Sequence, residues 1–125
     1  MVQGPKGIYM LLVHTRDPKA SAVFYEGVLG FTRVREEEGL VWLKAGEGPR
    51  AVEVLLHPWS EPTPAPHGIL LELEYEDVQA VVERARAGGY TVLQEPIDQA
   101  YGLREAGLQD PDGHPIWLAQ PLGVR

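Results

Sequence analysis

Cysteine is absent from the 125-residue chain. Disulfides, thiolate nucleophiles and cysteine-ligated zinc or iron-sulfur centres are therefore excluded, and any metal would have to be held by His, Asp or Glu. Long apolar runs are also missing, since no stretch approaches the ~18 residues a membrane-spanning helix needs. No membrane partner is expected. Positive charge is scarce: 11 Lys and Arg stand against 18 Asp and Glu, for a formal net charge of -7. The few cations are scattered rather than gathered into a stripe, so nucleic acid is not an expected partner. A neutral or cationic small molecule meets no such electrostatic barrier. The first residues, MVQGPKGIYM, lack an apolar core followed by a small-residue cleavage site, which makes the cytoplasm the expected compartment.

What is present is the composition of a globular domain, 44% hydrophobic. A chain of this length buries roughly two-thirds of its unfolded surface, either as one domain or as two half-domains sharing a core. IYMLLVHT, residues 8 to 15, reads as a strand, and Asp17-Pro18 as a helix N-cap followed by proline at the first helical position. Ala20, Val23, Phe24, Gly27 and Val28 follow at helical spacing, with Gly30 placed to end the helix. Strands are expected near 31 to 36, 40 to 45 and 50 to 57. HPWSEPTPAPHG, residues 57 to 68, holds four prolines and no periodicity, and reads as a stiff connector.

The order then repeats. ILLELEY is a strand, Asp77 a cap, and Val78, Val81, Val82 and Ala85 lie at i, i+3, i+4 and i+7 before Gly88-Gly89. Strands near 90 to 93, 102 to 109 and 114 to 120 complete the pattern. Gly30-Phe31-Thr32 is echoed by Gly89-Tyr90-Thr91. Two βαβββ units follow from this self-similarity: residues 1–58, a proline-rich connector over 59–67, and residues 68–125. The expected fold class is α+β, with the two βαβββ modules forming one curved mixed sheet with helices outside.

QDPDGHPIW, residues 109 to 117, places Asp110, Asp112 and His114 within five positions. Pro and Gly make a turn the simpler reading, with the aspartates accepting local hydrogen bonds.

Asp17 through FYEGVLGF, LLELEYEDV into VVERARAGG, and YGLREAGLQDPDGHPIWLAQ resemble the vicinal oxygen chelate superfamily, which includes glyoxalase I, extradiol dioxygenases and bleomycin-resistance proteins. The last segment is most similar to the bleomycin-resistance branch. The resemblance implies the paired-module fold, a cleft inside the curved sheet and, commonly, a homodimer. It also implies four metal-ligand positions in the superfamily's enzymes. Carried over one at a time, these fall on Met10, Glu53, Leu70 (or Ile69 if the helix is shifted by one) and Trp117. Only Glu53 keeps a ligating side chain, and one carboxylate holds a divalent ion weakly. No cofactor is therefore expected.

With faces assigned by strand alternation and the family register, Met10, Leu12 and His14 should line the cleft, joined by Glu53 and by Glu72 and Glu74. For the last two a solvent-exposed sheet face is the competing reading. Trp42, Trp59, Tyr101 and Trp117 offer flat apolar walls, and Trp117 at a ligand position should face the cleft. Arg104 suits an ion pair with the protein or an anionic ligand group. The family's usual R-E-F is here Arg104-Glu105-Ala106, so a bulky side chain is missing. Glu36 to Glu38 beside Gly39 read as a solvated turn.

The expected function is metal-independent binding of a small organic or cationic ligand in a cleft lined by Met10, Leu12, His14, Glu53, Leu70, Glu72, Glu74, Tyr101, Arg104 and Trp117, with drug sequestration implied by the resemblance. The alternative is a metal-dependent lyase, isomerase or dioxygenase in which Glu53 and displaced histidines, His14 and His57, hold a divalent metal.

Overall fold

A computed structural model describes residues 2–59 and 70–123. The stretch 60–67 of the expected connector, and Ile69, lie outside the described residues. Each module runs strand, helix, three strands. The first comprises β1 (Leu11–Thr15), α1 (Pro18–Gly27), β2 (Thr32–Glu37), β3 (Leu40–Ala45) and β4 (Val52–Pro58), with a 3-10 turn at Gly48–Arg50. The second comprises β5 (Leu71–Glu74), α2 (Val78–Ala87), β6 (Val92–Asp98), β7 (Leu103–Gln109) and β8 (Pro115–Pro121). Their sheets have matching orders, β1-β4-β3-β2 and β5-β8-β7-β6, with β1 parallel to β4 and β5 parallel to β8.

This is the paired-module α+β fold. The strands form two four-stranded sheets, and among the described residues no strand pairing joins them. One hydrophobic core draws on both helices and on the helix-facing sides of both sheets.

The helices start as their caps dictate. Asp17 accepts hydrogen bonds from the backbone N–H of Lys19 and Ala20, and Asp77 from that of Ala80. Each cap satisfies donors that the first helical turn leaves free. Gly30 and Gly89 follow the helices with φ of 78° and 80°. On α2 the buried stripe is the expected Val78, Val81, Val82 and Ala85. On α1 it is rotated: Ser21, Ala22, Phe24, Tyr25 and Val28 are buried, whereas Val23 is 61% exposed. The reason is a polar one. Ser21 and Tyr25 face the second module, where their hydroxyls have partners.

Those partners lie in the 110–113 turn, which fastens the second module onto the first. Asp112 accepts from Thr15 Oγ1 at 2.5 Å, Ser21 Oγ at 3.1 Å and the backbone N–H of Arg16 at 2.9 Å, with Arg16 Nε at 3.3 Å. Buried Asp110 accepts from the Tyr25 hydroxyl at 2.8 Å and from the backbone N–H of Asp112 and His114. The reading of purely local bonding by the aspartates is thus half right. Burial pushes the Asp110 carboxyl up from its ordinary value, against the pull of its hydrogen bonds. Burial acts on Asp112 too, but its donors outweigh it and hold that carboxyl low. Burial beside Asp110 also raises the Tyr25 hydroxyl well above its usual range.

The second module also caps α1 from outside. Arg84 donates from Nε and Nη2 to the carbonyl of Val28, at 3.1 and 3.0 Å, and the Tyr75 hydroxyl donates to the carbonyl of Leu29 at 2.5 Å.

Candidate ligand-binding face

Strand alternation sends every second residue away from the core, and among the described residues no helix or strand packs over that outer face of either sheet. In the first sheet Leu12 lies beside Leu55 and His14 beside His57 across β1 and β4, while Trp42 and Lys44 lie opposite Leu55 and Glu53 across β3 and β4. Met10, one residue before β1, is half-buried, and Leu12 is 50% exposed. Leu11 and Val13 take the other side and pack against the core, as expected.

Aromatic groups cluster on this outer face. The Trp59 indole stacks on the His14 ring at 4.2 Å between centroids, and His57 approaches His14 edge-on at 5.8 Å. The Arg35 guanidinium sits 3.8 Å above the Trp42 ring, a cation-π contact that also places a positive charge on the face. Lys44 adds a second, and carboxylates answer both: Glu37 lies 3.8 Å from Arg35, Glu47 3.7 Å from Lys44, and Glu53 is opposite Lys44 across the strands.

The second sheet's outer face carries carboxylates and one indole. Trp117 lies between Glu72 on β5 and Gly107 on β7; one step along, Ala119 lies between Glu74 and Glu105. Leu71, Leu73 and Tyr75 pack against the core, again as expected. Leu70 precedes β5 and is 52% exposed, and the register puts Glu72 rather than Leu70 opposite Trp117. The Tyr101 hydroxyl donates to Glu105, and this bond, with the charges of Glu105 and Glu72, raises its pKa. Glu74 is engaged by Arg50 at 3.1 Å.

Two expected site features belong elsewhere. Arg104 shares its side of β7 with buried Ala106 and Leu108, the side facing α2, and pairs with Asp98 at 2.6 Å. Its hydrogen bond to Asp98 holds the Asp98 carboxyl low. Of its two sequence readings, the ion pair is the one present. Ala106, where the family's bulky residue is missing, is fully buried on that same core side, so the shortened side chain reshapes the core and not the outer face. The residues that sequence reasoning missed are Arg35, Lys44, Glu105 and Gly107. Their positions depend on hairpin registers, including a shift between Arg33 and Arg35, which alternation alone does not supply.

A concavity of about 620 Å³ is a groove between the modules lined by Leu11, Phe31, Leu71, Leu73 and Tyr75, and also by Arg50, Glu72 and Glu74. A smaller one of about 360 Å³ lies beside the 110–113 turn.

The residues at the four metal-ligand positions do not fit a metal. Met10, Leu70 and Trp117 supply no oxygen or imidazole nitrogen, and among the described residues no three His, Asp or Glu side chains converge as a set.

A family model described as the Glyoxalase/Bleomycin resistance protein/Dioxygenase superfamily matches residues 7–118. The chain belongs to that superfamily. Among curated relatives of this member, a bleomycin resistance protein of Klebsiella pneumoniae is 31% identical over 111 residues, covering 85% of this chain and 86% of that one. Among solved structures, the antibiotic-binding protein TnmS3 of a Streptomyces species superimposes with a TM-score of 0.73 at 27% identity, covering 96% of this chain and 99% of that one. A lactoylglutathione lyase of Agrobacterium tumefaciens reaches a TM-score of 0.68 at 22% identity over 94% of this chain and 96% of that one, a likeness of fold.

Proposed function

We propose that this protein binds a small organic cation, without a metal, in a cleft made when the outer face of the first sheet meets the outer face of the second sheet of another copy. The observation that carries this reading is the outer face of the second sheet, where Glu72, Glu74 and Glu105 stand around the Trp117 indole, with a second aromatic-bearing face on the first sheet to meet it. A face with apolar side chains left half-exposed marks a surface built for a partner or a ligand. The bleomycin resistance relative and the antibiotic-binding neighbour support a drug-sequestering role.

Glu53 serves here as a carboxylate of the cleft wall and not as a metal ligand. The deciding experiment combines calorimetry with elemental analysis. The variant carrying Glu53→Gln, Glu72→Gln and Glu74→Gln should lose about tenfold or more in affinity for acriflavine, a planar cation, because each lost carboxylate removes a favourable Coulomb term. Unchanged affinity removes the three glutamates from the site. The purified protein should carry no stoichiometric divalent ion. One tightly held ion per chain, lost in Glu53→Ala, would overturn the metal-free reading in favour of a metal-dependent lyase, isomerase or dioxygenase.

A further inference from the structure

Gly107 stands in the middle of β7, where a glycine weakens a strand by giving up side-chain packing and adding backbone freedom. Its backbone does not call for glycine, because its φ is not positive. What calls for it is a neighbour. A methyl group at this position would lie 2.9 Å from Cζ3, 3.0 Å from Cη2 and 3.2 Å from Cε3 of Trp117. Three adjacent ring carbons at nearly equal distance mean that the approach is onto the face of the ring; an edge-on approach would leave the two flanking carbons much farther away. One face of the indole therefore lies on the bare backbone of β7. Trp117 remains partly exposed.

Around this ring stand the carboxylates of the second sheet. Glu72 is across β5, and Glu105, bonded to the Tyr101 hydroxyl, is one step along β7. We infer that Gly107 and Trp117 form a flat shelf that selects a planar aromatic cation, with Gly107 as the positioning residue that holds the indole flat. This rests on the cation-binding reading above and narrows its ligand class. An indole face attracts positive charge through its quadrupole and stacks best on another flat ring. A cation of equal charge but tetrahedral shape gains the first effect and little of the second, so the shelf discriminates by shape.

Calorimetry with acriflavine and with tetraethylammonium, a non-planar cation, tests this on the wild type, Gly107→Ala, Trp117→Ala and the double variant. Gly107→Ala should weaken acriflavine about tenfold, leave tetraethylammonium within about twofold, and add nothing once Trp117 is gone. An equal loss in the Trp117→Ala background would overturn the inference, because Gly107 would then act by some route other than the indole. A wild type that binds tetraethylammonium but not acriflavine overturns the shelf and leaves cation binding standing; one that binds neither overturns both. Should Gly107→Ala fail to fold, Trp117→Leu carries the test: a fall in acriflavine affinity several times larger than the fall for tetraethylammonium is expected, and equal falls, or acriflavine affinity kept, overturn the shelf.

Discussion

Asp112 shows how one carboxylate can hold two modules together. Its four donors come from Thr15, Arg16 and Ser21, all in the first module. An asparagine keeps the shape but offers one acceptor oxygen in place of two, so Asp112→Asn should cost about 1–3 kcal/mol of stability at neutral pH. The pH dependence has a definite sign. Because the folded state lowers this carboxyl's pKa below its ordinary value of about 3.8, its contribution is present above that value and is lost as pH falls through the lower folded value. Urea unfolding as a function of pH should therefore show the gap between wild type and Asp112→Asn closing below pH ~4. Asp110 works in the opposite sense. Its raised pKa means that its contribution is greatest when protonated and fades as pH rises through the folded value, so the two neighbours partly offset one another in acid.

Among the elements, α1 depends on the second module at its C-terminal end. The carbonyls of Val28, its C-cap, and of Leu29 just beyond receive their donors from Arg84 and Tyr75 across the module boundary. Arg84→Met removes the charged donor while keeping most of the apolar stem. It should lower stability by about 1–3 kcal/mol and speed amide exchange at Phe31, whose N–H bonds to the carbonyl of Tyr25. The start of α1 was readable in the sequence because capping is local: Asp17 meets N–H groups two and three residues away. The faces of β1 and β5 were readable because alternation is local as well. The rotation of the α1 stripe was not, since Ser21 and Tyr25 are buried for partners 91 and 85 positions distant. For the same reason Arg104 and Ala106 could be counted along β7 but not assigned a side without its pairing to β8. Trp117 stands out in the sequence for what it replaces; the glycine beneath it does not, because their closeness exists only in the register of β7 and β8.

At the scale of the molecule, the core occupies one side of each sheet, and among the described residues no helix or strand packs over the other. A lone chain of this shape exposes Leu12, Trp59 and Leu70 at 50%, 38% and 52%. Light scattering after gel filtration should give a dimer for the wild type. Leu12→Glu, which puts a charge on the outer face without touching the core, should shift it to monomer with an unchanged circular dichroism spectrum. A wild type that stays monomeric at high micromolar concentration would mean that the two faces do not meet through a second copy. Among the described residues no helix is long and apolar enough to cross a membrane.

The turn that grips the first module has a further consequence, for the order of folding. Thr15 and Asp112 are 97 positions apart, and Tyr25 and Asp110 are 85 apart. Closing so long a loop costs entropy before any contact rewards it, whereas each module's hairpins and helix need only neighbours. Each module can therefore assemble its own sheet first, with the turn docking late, so that its bonds act chiefly as a brake on unfolding and contribute little to the speed of folding.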